Sequence, residues 1–166
     1  MLPILQLIPH SMEQAFLHAI RENQQIIFKV CKIYRNSKED QEDLFQEIVY
    51  QLWKSYPRFR AASKLSTWIY RIALNTAMAV YRKATLPVSY YPVIPGQHAS
   101  PENIESEKEA MLLYALRQLN DADKAIIALY LDDFSYQEIA AITGITENNA
   151  GVRLNRIKNK LKQIIQ

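Results

Sequence analysis

Ser135-Tyr-Gln-Glu-Ile-Ala-Ala-Ile-Thr-Gly144, continued by Ile145-Thr-Glu-Asn-Asn-Ala-Gly-Val-Arg-Leu-Asn-Arg-Ile157, is the stretch on which the fold turns. Ser135 and Glu138 stand at capping-box spacing and predict a short helix to Thr143. Gly144 predicts a turn, and Thr146 predicts the cap of a longer helix running to the C-terminus. On that helix Ala150, Leu154, Ile157, Leu161 and Ile164 recur at steps of 4, 3, 4 and 3, one apolar stripe that forces the polar residues outward. Two helices about a tight glycine turn make a helix-turn-helix. In such a unit the first turn of the second helix, here Glu147, Asn148 and Asn149, meets base edges in a major groove. Asparagine suits adenine, and Arg153, Arg156 and Lys160, with Lys158 and Lys162 nearby, would supply phosphate contacts. A plain helical hairpin with a solvated basic face is the competing reading.

Upstream, Pro87, Pro92, Pro95, Gly96 and Pro101 forbid a helix interior. They place a linker at 84–104 between two helical segments, 1–83 and 105–166. Neither segment alternates as strands do. The expected fold class is all-α: two small helical domains on a Pro-rich tether.

The first segment reads as three helices. Ser11 and Gln14 have capping-box spacing, and the pattern runs to Tyr34 with an expected break near Glu22–Asn23. Asn36 and Ser37 mark a turn, and a second helix runs from Lys38 to Tyr56, stopped by Pro57. A basic loop, Arg58 to Lys64, precedes a third helix with Ser66 as its expected cap, ending near Lys83. In the second segment the acidic Glu102–Glu109 suits a helix start, and Asn120 or Asp121 caps the next helix, to Leu131.

Composition bounds the function. The 166 residues carry a net charge of +3, with +5 on residues 1–86, −3 on 87–110 and +1 on 111–166. That balance permits nucleic acid as a partner and does not demand it. Cys31 is the sole cysteine and three glycines are present, so disulfide frameworks, Cys-rich zinc sites and glycine-rich phosphate cradles are excluded. Its neighbours Ile27, Val30 and Tyr34 predict that Cys31 is buried. His10, His18 and His98 are scattered, and no acid, base and nucleophile set emerges; no catalytic residue, metal or cofactor is expected. No apolar run is long enough for a membrane helix, and the greasy Met1–Pro9 lacks a basic leader, so the expected location is cytoplasmic.

Two surfaces stand out on the first segment. On a helical wheel the second helix has a wide apolar arc, and a polar face that includes Asp43, Gln46, Glu47 and Gln51. That face suits solvent or the basic helices of a partner. On the third helix Arg71, Asn75 and Arg82 align within about 40°. Trp68, Ile69 and Ile72 form the core stripe beside them, and Tyr70 fits either a core or a stacking role. With Arg58, Phe59, Arg60, Ser63 and Lys64 just upstream, cations interleaved with aromatics suit single-stranded DNA.

Asp43-Leu-Phe-Gln-Glu-Ile-Val-Tyr-Gln-Leu-Trp53, Pro57-Arg-Phe-Arg60 and Thr67-Trp-Ile-Tyr-Arg-Ile-Ala-Leu-Asn75 closely resemble conserved region 2 of the extracytoplasmic-function group of bacterial RNA polymerase sigma factors. Leu119-Asn-Asp-Ala-Asp-Lys-Ala-Ile-Ile-Ala-Leu-Tyr130 and Ser135–Ile145 are similar to its region 4. The resemblance implies a promoter-recognition subunit. Asp43, Leu44, Gln46, Glu47 and Gln51 would dock on the clamp helices of the largest subunit of core RNA polymerase. Arg58, Arg60, Ser63, Lys64, Thr67, Tyr70, Arg71, Asn75 and Arg82 would capture and open the −10 element, trapping a flipped base. Tyr136, Thr146, Glu147, Asn148, Asn149, Gly151, Arg153, Arg156 and Lys160 would read the −35 element as duplex. An anti-sigma factor is a further implied partner. The sequence departs from the family at Gly151, where a larger and often basic residue is usual. The alternative is a free-standing helix-turn-helix regulator, but such a protein has no need of the mixed acid and amide face on the second helix.

Overall fold

The computed structural model describes residues 10–82 and 107–166; the linker 84–104 and the N-terminal nonapeptide lie outside the described residues. Helices α1 (His10–Tyr34), α2 (Lys38–Ser55) and α3 (Leu65–Arg82) pack pairwise into one body. Helices α4 (Glu107–Arg117), α5 (Asp121–Leu131), α6 (Tyr136–Thr143) and α7 (Glu147–Ile165) form the other. Among the described residues there is no strand, as the sequence patterning requires.

α1 runs unbroken for 25 residues, so the expected break at Glu22–Asn23 is absent. The Asn23 amide donates to the Ala19 carbonyl at 2.8 Å, satisfying within the helix the polar group that was expected to interrupt it. α2 begins at Ser37, whose hydroxyl accepts from the Asp40 N–H. It ends one residue early, and Tyr56–Arg58 form a 3-10 turn around Pro57. α3 starts at Leu65, which places Ser66 inside the first turn instead of at the cap. The core of this body is Phe16, Ile27, Val30, Ile48, Leu52, Ile69, Ala73 and Leu74. Aromatic rings extend it: Phe16 meets Trp53 edge-on at 4.9 Å, and Phe28 stacks on Phe45 at 4.7 Å. Cys31 is buried as expected, and desolvation pushes its thiol up to about 12, partly opposed by Arg35.

In the second body Asn120 caps α5, Ser135 caps α6 and Thr146 caps α7, each side chain accepting a backbone N–H. The Ser135–Glu138 capping box has both of its hydrogen bonds, at 3.2 and 2.8 Å. Gly144 takes φ of +76°, the left-handed turn that an L side chain rarely adopts. The stripe Ala150, Leu154, Ile157 and Leu161 is buried against α4, α5 and α6.

The two bodies are not held apart. α1 packs on α4 and α5, α3 packs on α5 and α6, and the buried side chains of both belong to one hydrophobic cluster.

Candidate nucleic-acid interface

The caps and the Gly144 turn aim the N-terminal half of α7 outward beside α6. Between them lies a groove of about 990 Å³, lined by Tyr136, Glu147, Asn148, Gly151, Val152, Asn155, Arg156 and Lys158. Five expected residues, Tyr136, Glu147, Asn148, Gly151 and Arg156, therefore meet at one surface. Thr146 acts as a cap, its hydroxyl accepting from the Asn149 N–H at 3.2 Å; Asn149 and Lys160 are exposed outside the lining.

Arg153 does not face the groove. Its Nε and Nη2 both donate to Asp123 Oδ1, at 3.1 and 2.6 Å, so an intramolecular carboxylate takes the place expected for a phosphate. Val152 and Asn155 are groove residues that the sequence reading did not include, whereas Lys158, expected near the phosphate contacts, does line the groove. The signal was available: Asn148, Val152 and Asn155 are spaced i, i+4, i+7 and share a helix face. Lys158 Nζ lies 4.1 Å from the centre of the Tyr130 ring, and donates to that ring's hydroxyl. This hydrogen bond favours the charged ammonium and raises its pKa. Gly151 borders the Tyr136 ring. A Cβ there would sit 3.4 Å from Cε2 and 3.5 Å from Cδ2 of Tyr136, ordinary van der Waals contact, so a methyl group would pack on the ring without displacing it.

In the first body the loop before α3 exposes Arg58, Arg60 and Lys64, with Ser63 half-buried. Ala61 holds φ at +53°, and Phe59 packs on Trp68 at 4.9 Å, anchoring the loop to α3. Arg71 and Asn75 are exposed on α3, and Thr67 is half-buried. The side chain of Arg82 lies outside the described residues. Tyr70 settles as a core residue: it is 1% exposed, its hydroxyl donates to Asp132, and its ring meets Phe134 edge-on at 5.3 Å. It is therefore unavailable for base stacking in this arrangement.

On α2, Asp43 and Gln46 are exposed, while Gln51 donates to Glu47 at 2.8 Å and both are half-buried. Leu44 is 2% exposed and packs inward, so it is removed from the expected docking face. It lies on the apolar side of the same helix.

A model of sigma-70 region 2 matches residues 19–86, and a model of sigma-70 region 4 matches residues 109–161. The ECF RNA polymerase sigma-E factor of Escherichia coli (strain K12) is 30% identical over 146 residues, covering 76% of this chain and 76% of the relative. The ECF RNA polymerase sigma factor EcfG of Rhodopseudomonas palustris (strain TIE-1) is 29% identical over 129 residues, covering 75% of this chain and 70% of the relative. Among solved structures, the sigma factor RpoE in complex with the anti-sigma factor NepR, from Bartonella quintana, has a TM-score of 0.64 at 20% identity. That match covers 95% of this chain and 98% of RpoE. CnrH in complex with the cytosolic domain of CnrY has a TM-score of 0.65 at 16% identity, covering 92% and 88%. The chain belongs to the ECF family of RNA polymerase sigma factors.

Proposed function

We propose that this sigma factor joins core RNA polymerase through the polar strip Asp43, Gln46, Glu47 and Gln51 of α2, and selects promoters with two DNA surfaces. The first is the basic loop with α3, where Arg58, Arg60, Ser63, Lys64, Thr67, Arg71 and Asn75 take the unwound −10 strand. The second is the α6–α7 groove, where Tyr136, Glu147, Asn148 and Arg156 read the −35 duplex, with Asn149 and Lys160 at its margin. Residues 1–83 and 105–166 act as the two domains and 84–104 as the tether. The chain supplies binding energy and no catalytic group, and it works in the cytoplasm beside the polymerase. An anti-sigma factor is part of this reading, because the solved neighbour RpoE is in complex with one.

The observation that carries the proposal is the groove, in which two exposed amides and an arginine converge on a helix-turn-helix whose caps fix its geometry. Run-off transcription on genomic fragments, with core polymerase and with or without the chain, tests it. New start sites are expected only when the chain is present. Asp43→Lys should abolish association with core polymerase while helical content is unchanged; undiminished pull-down would remove α2 as the docking face.

A further inference from the structure

α7 presents one outward stripe along its length: Asn148, Val152, Asn155, Asn159 and Lys162, at steps of 4, 3, 4 and 3, all exposed. The stripe stands opposite the buried one, since Val152 and Leu161 lie about 180° apart around the helix. Val152 is its apolar member. It is 44% exposed and lines the α6–α7 groove, with Asn148 one turn before it and Asn155 about one turn after. The fold does not require a valine there. The core lies on the far side of α7, and a β-branched residue is a poorer helix former than alanine, lysine or glutamine.

What a valine can do in a groove follows from its chemistry. It neither donates nor accepts, so the nitrogens and oxygens of base edges offer it nothing. Set against the amino group of adenine or cytosine, its methyls would strip water from a donor without replacing the hydrogen bond. The C5-methyl of thymine is the apolar group that a base pair presents in the major groove. The isopropyl group is also held ready, because valine in a helix keeps one strongly preferred rotamer. The flanking amides suit the same DNA, since asparagine takes N6 and N7 of adenine, whose partner is thymine. We propose that Val152 is a specificity-determining residue that reads the C5-methyl of a thymine in the −35 duplex, between the base pairs reached by Asn148 and Asn155. The inference deepens the reading of the α6–α7 groove given above and rests on it. A methylated cytosine carries the same methyl at the same carbon, so that modification of the site would be legible to Val152 as well.

The test uses the full chain bound to core polymerase. Selection from randomised duplex first defines the −35 preference of the native holoenzyme. Each thymine of the selected element is then replaced singly by deoxyuridine, which removes the methyl and keeps the pairing edge. At one position the native holoenzyme should lose affinity about fourfold, the worth of one buried methyl group. Val152→Ala should bind the thymine duplex about fourfold more weakly or worse, and should show no further loss with deoxyuridine at that position. Its helical content and melting temperature should hold, because alanine is the better helix former. With cytosine·guanine placed at the same position, methylation of the cytosine at C5 should tighten binding by the native holoenzyme and leave Val152→Ala unchanged. Deoxyuridine without effect at every position, or with the same effect in Val152→Ala, overturns the assignment of Val152 and leaves the groove reading in place. Selection that enriches no −35 sequence overturns the groove reading and this inference with it.

Discussion

Gly151 shows how one missing Cβ shapes a surface. The Tyr136 ring lies within contact distance of the position a Cβ would take, and Tyr136 remains 40% exposed along the groove. Gly151→Ala adds a carbon at ordinary van der Waals distance from the ring, and a glycine-to-alanine change inside a helix gains about 1 kcal/mol. The melting temperature should therefore rise with sequence preference retained. Gly151→Lys sends a long cationic side chain past the ring into the groove, and selection from randomised duplex in the polymerase-bound state should return a different −35 preference. The same preference from both variants would show that this part of the groove takes no part in reading. Cys31 gives a residue-scale pH effect. Its folded thiol ionises near 12 against an ordinary 9.0, so the unfolded chain loses that proton first. Stability is then intact below about pH 9 and falls toward pH 12, by at most about 1.4 kcal/mol per pH unit for one proton. Urea unfolding at about pH 8 and about pH 10 should show that slope in the native chain, and Cys31→Ala should flatten it.

At the scale of single helices, the sequence was most legible where a side chain acts on its own backbone. Ser135 with Glu138, Gly144 and Thr146 mark the boundaries of α6 and α7 as read, because capping is settled within four residues. It was least legible where a polar residue has two local choices. Asn23 breaks helices in one rotamer and bonds back to Ala19 in another, and only the packed environment of α1 selects between them. Ser66 likewise resembles a cap, but Leu65 is drawn into the helix and half-buried against the first-body core, moving the start upstream. On the proposed reading the α6 cap bears on function, because it fixes the wall of the groove that bears Tyr136. Ser135→Ala should cost about 1 kcal/mol in urea unfolding. It should also weaken −35 duplex binding by the holoenzyme more than Ser66→Ala does. Glu138 adds a pH signature: its carboxylate accepts the Ser135 N–H, which lowers its pKa. The box is thus complete above the ordinary carboxylate range and loosens as pH falls through the lowered value.

For the whole molecule, periodicity and prolines gave two helical bodies, and the wheel gave their outward faces. The junction between them was hidden. It pairs residues far apart in the chain, Lys29 and Tyr70 with Asp132, whose side chains carry no local signature of a partner. The same blindness hid the partner of Arg153, which looks like a free basic residue on a recognition helix until α5 brings Asp123 beside it. Removing that carboxylate isolates the consequence. In Asp123→Ala the guanidinium regains the option of a phosphate, and one added phosphate contact steepens the log–log salt dependence of duplex binding by about 0.9. A slope equal to that of the native chain would mean Arg153 is a structural ion pair and no reserve contact.

The closed arrangement also governs how the chain should meet a promoter. On the proposed reading the two DNA surfaces lie on bodies that pack against one another, and simultaneous contact with a −10 strand and a −35 duplex depends on the distance at which those bodies are held. Each surface alone offers few cations: Arg58, Arg60, Lys64 and Arg71 in one, Arg156, Lys158 and Lys160 in or beside the other. Linking two weak sites strengthens binding only where geometry lets both engage at once. Core polymerase, by holding the bodies apart, would convert the second contact into an intramolecular one, worth about a hundredfold or more in affinity. A forked promoter fragment carrying both elements should therefore bind the free chain weakly and the holoenzyme tightly, with a steeper salt dependence in the second case. Tight, sequence-specific binding of the full fragment by the isolated chain would show instead that the tether already supplies the spacing.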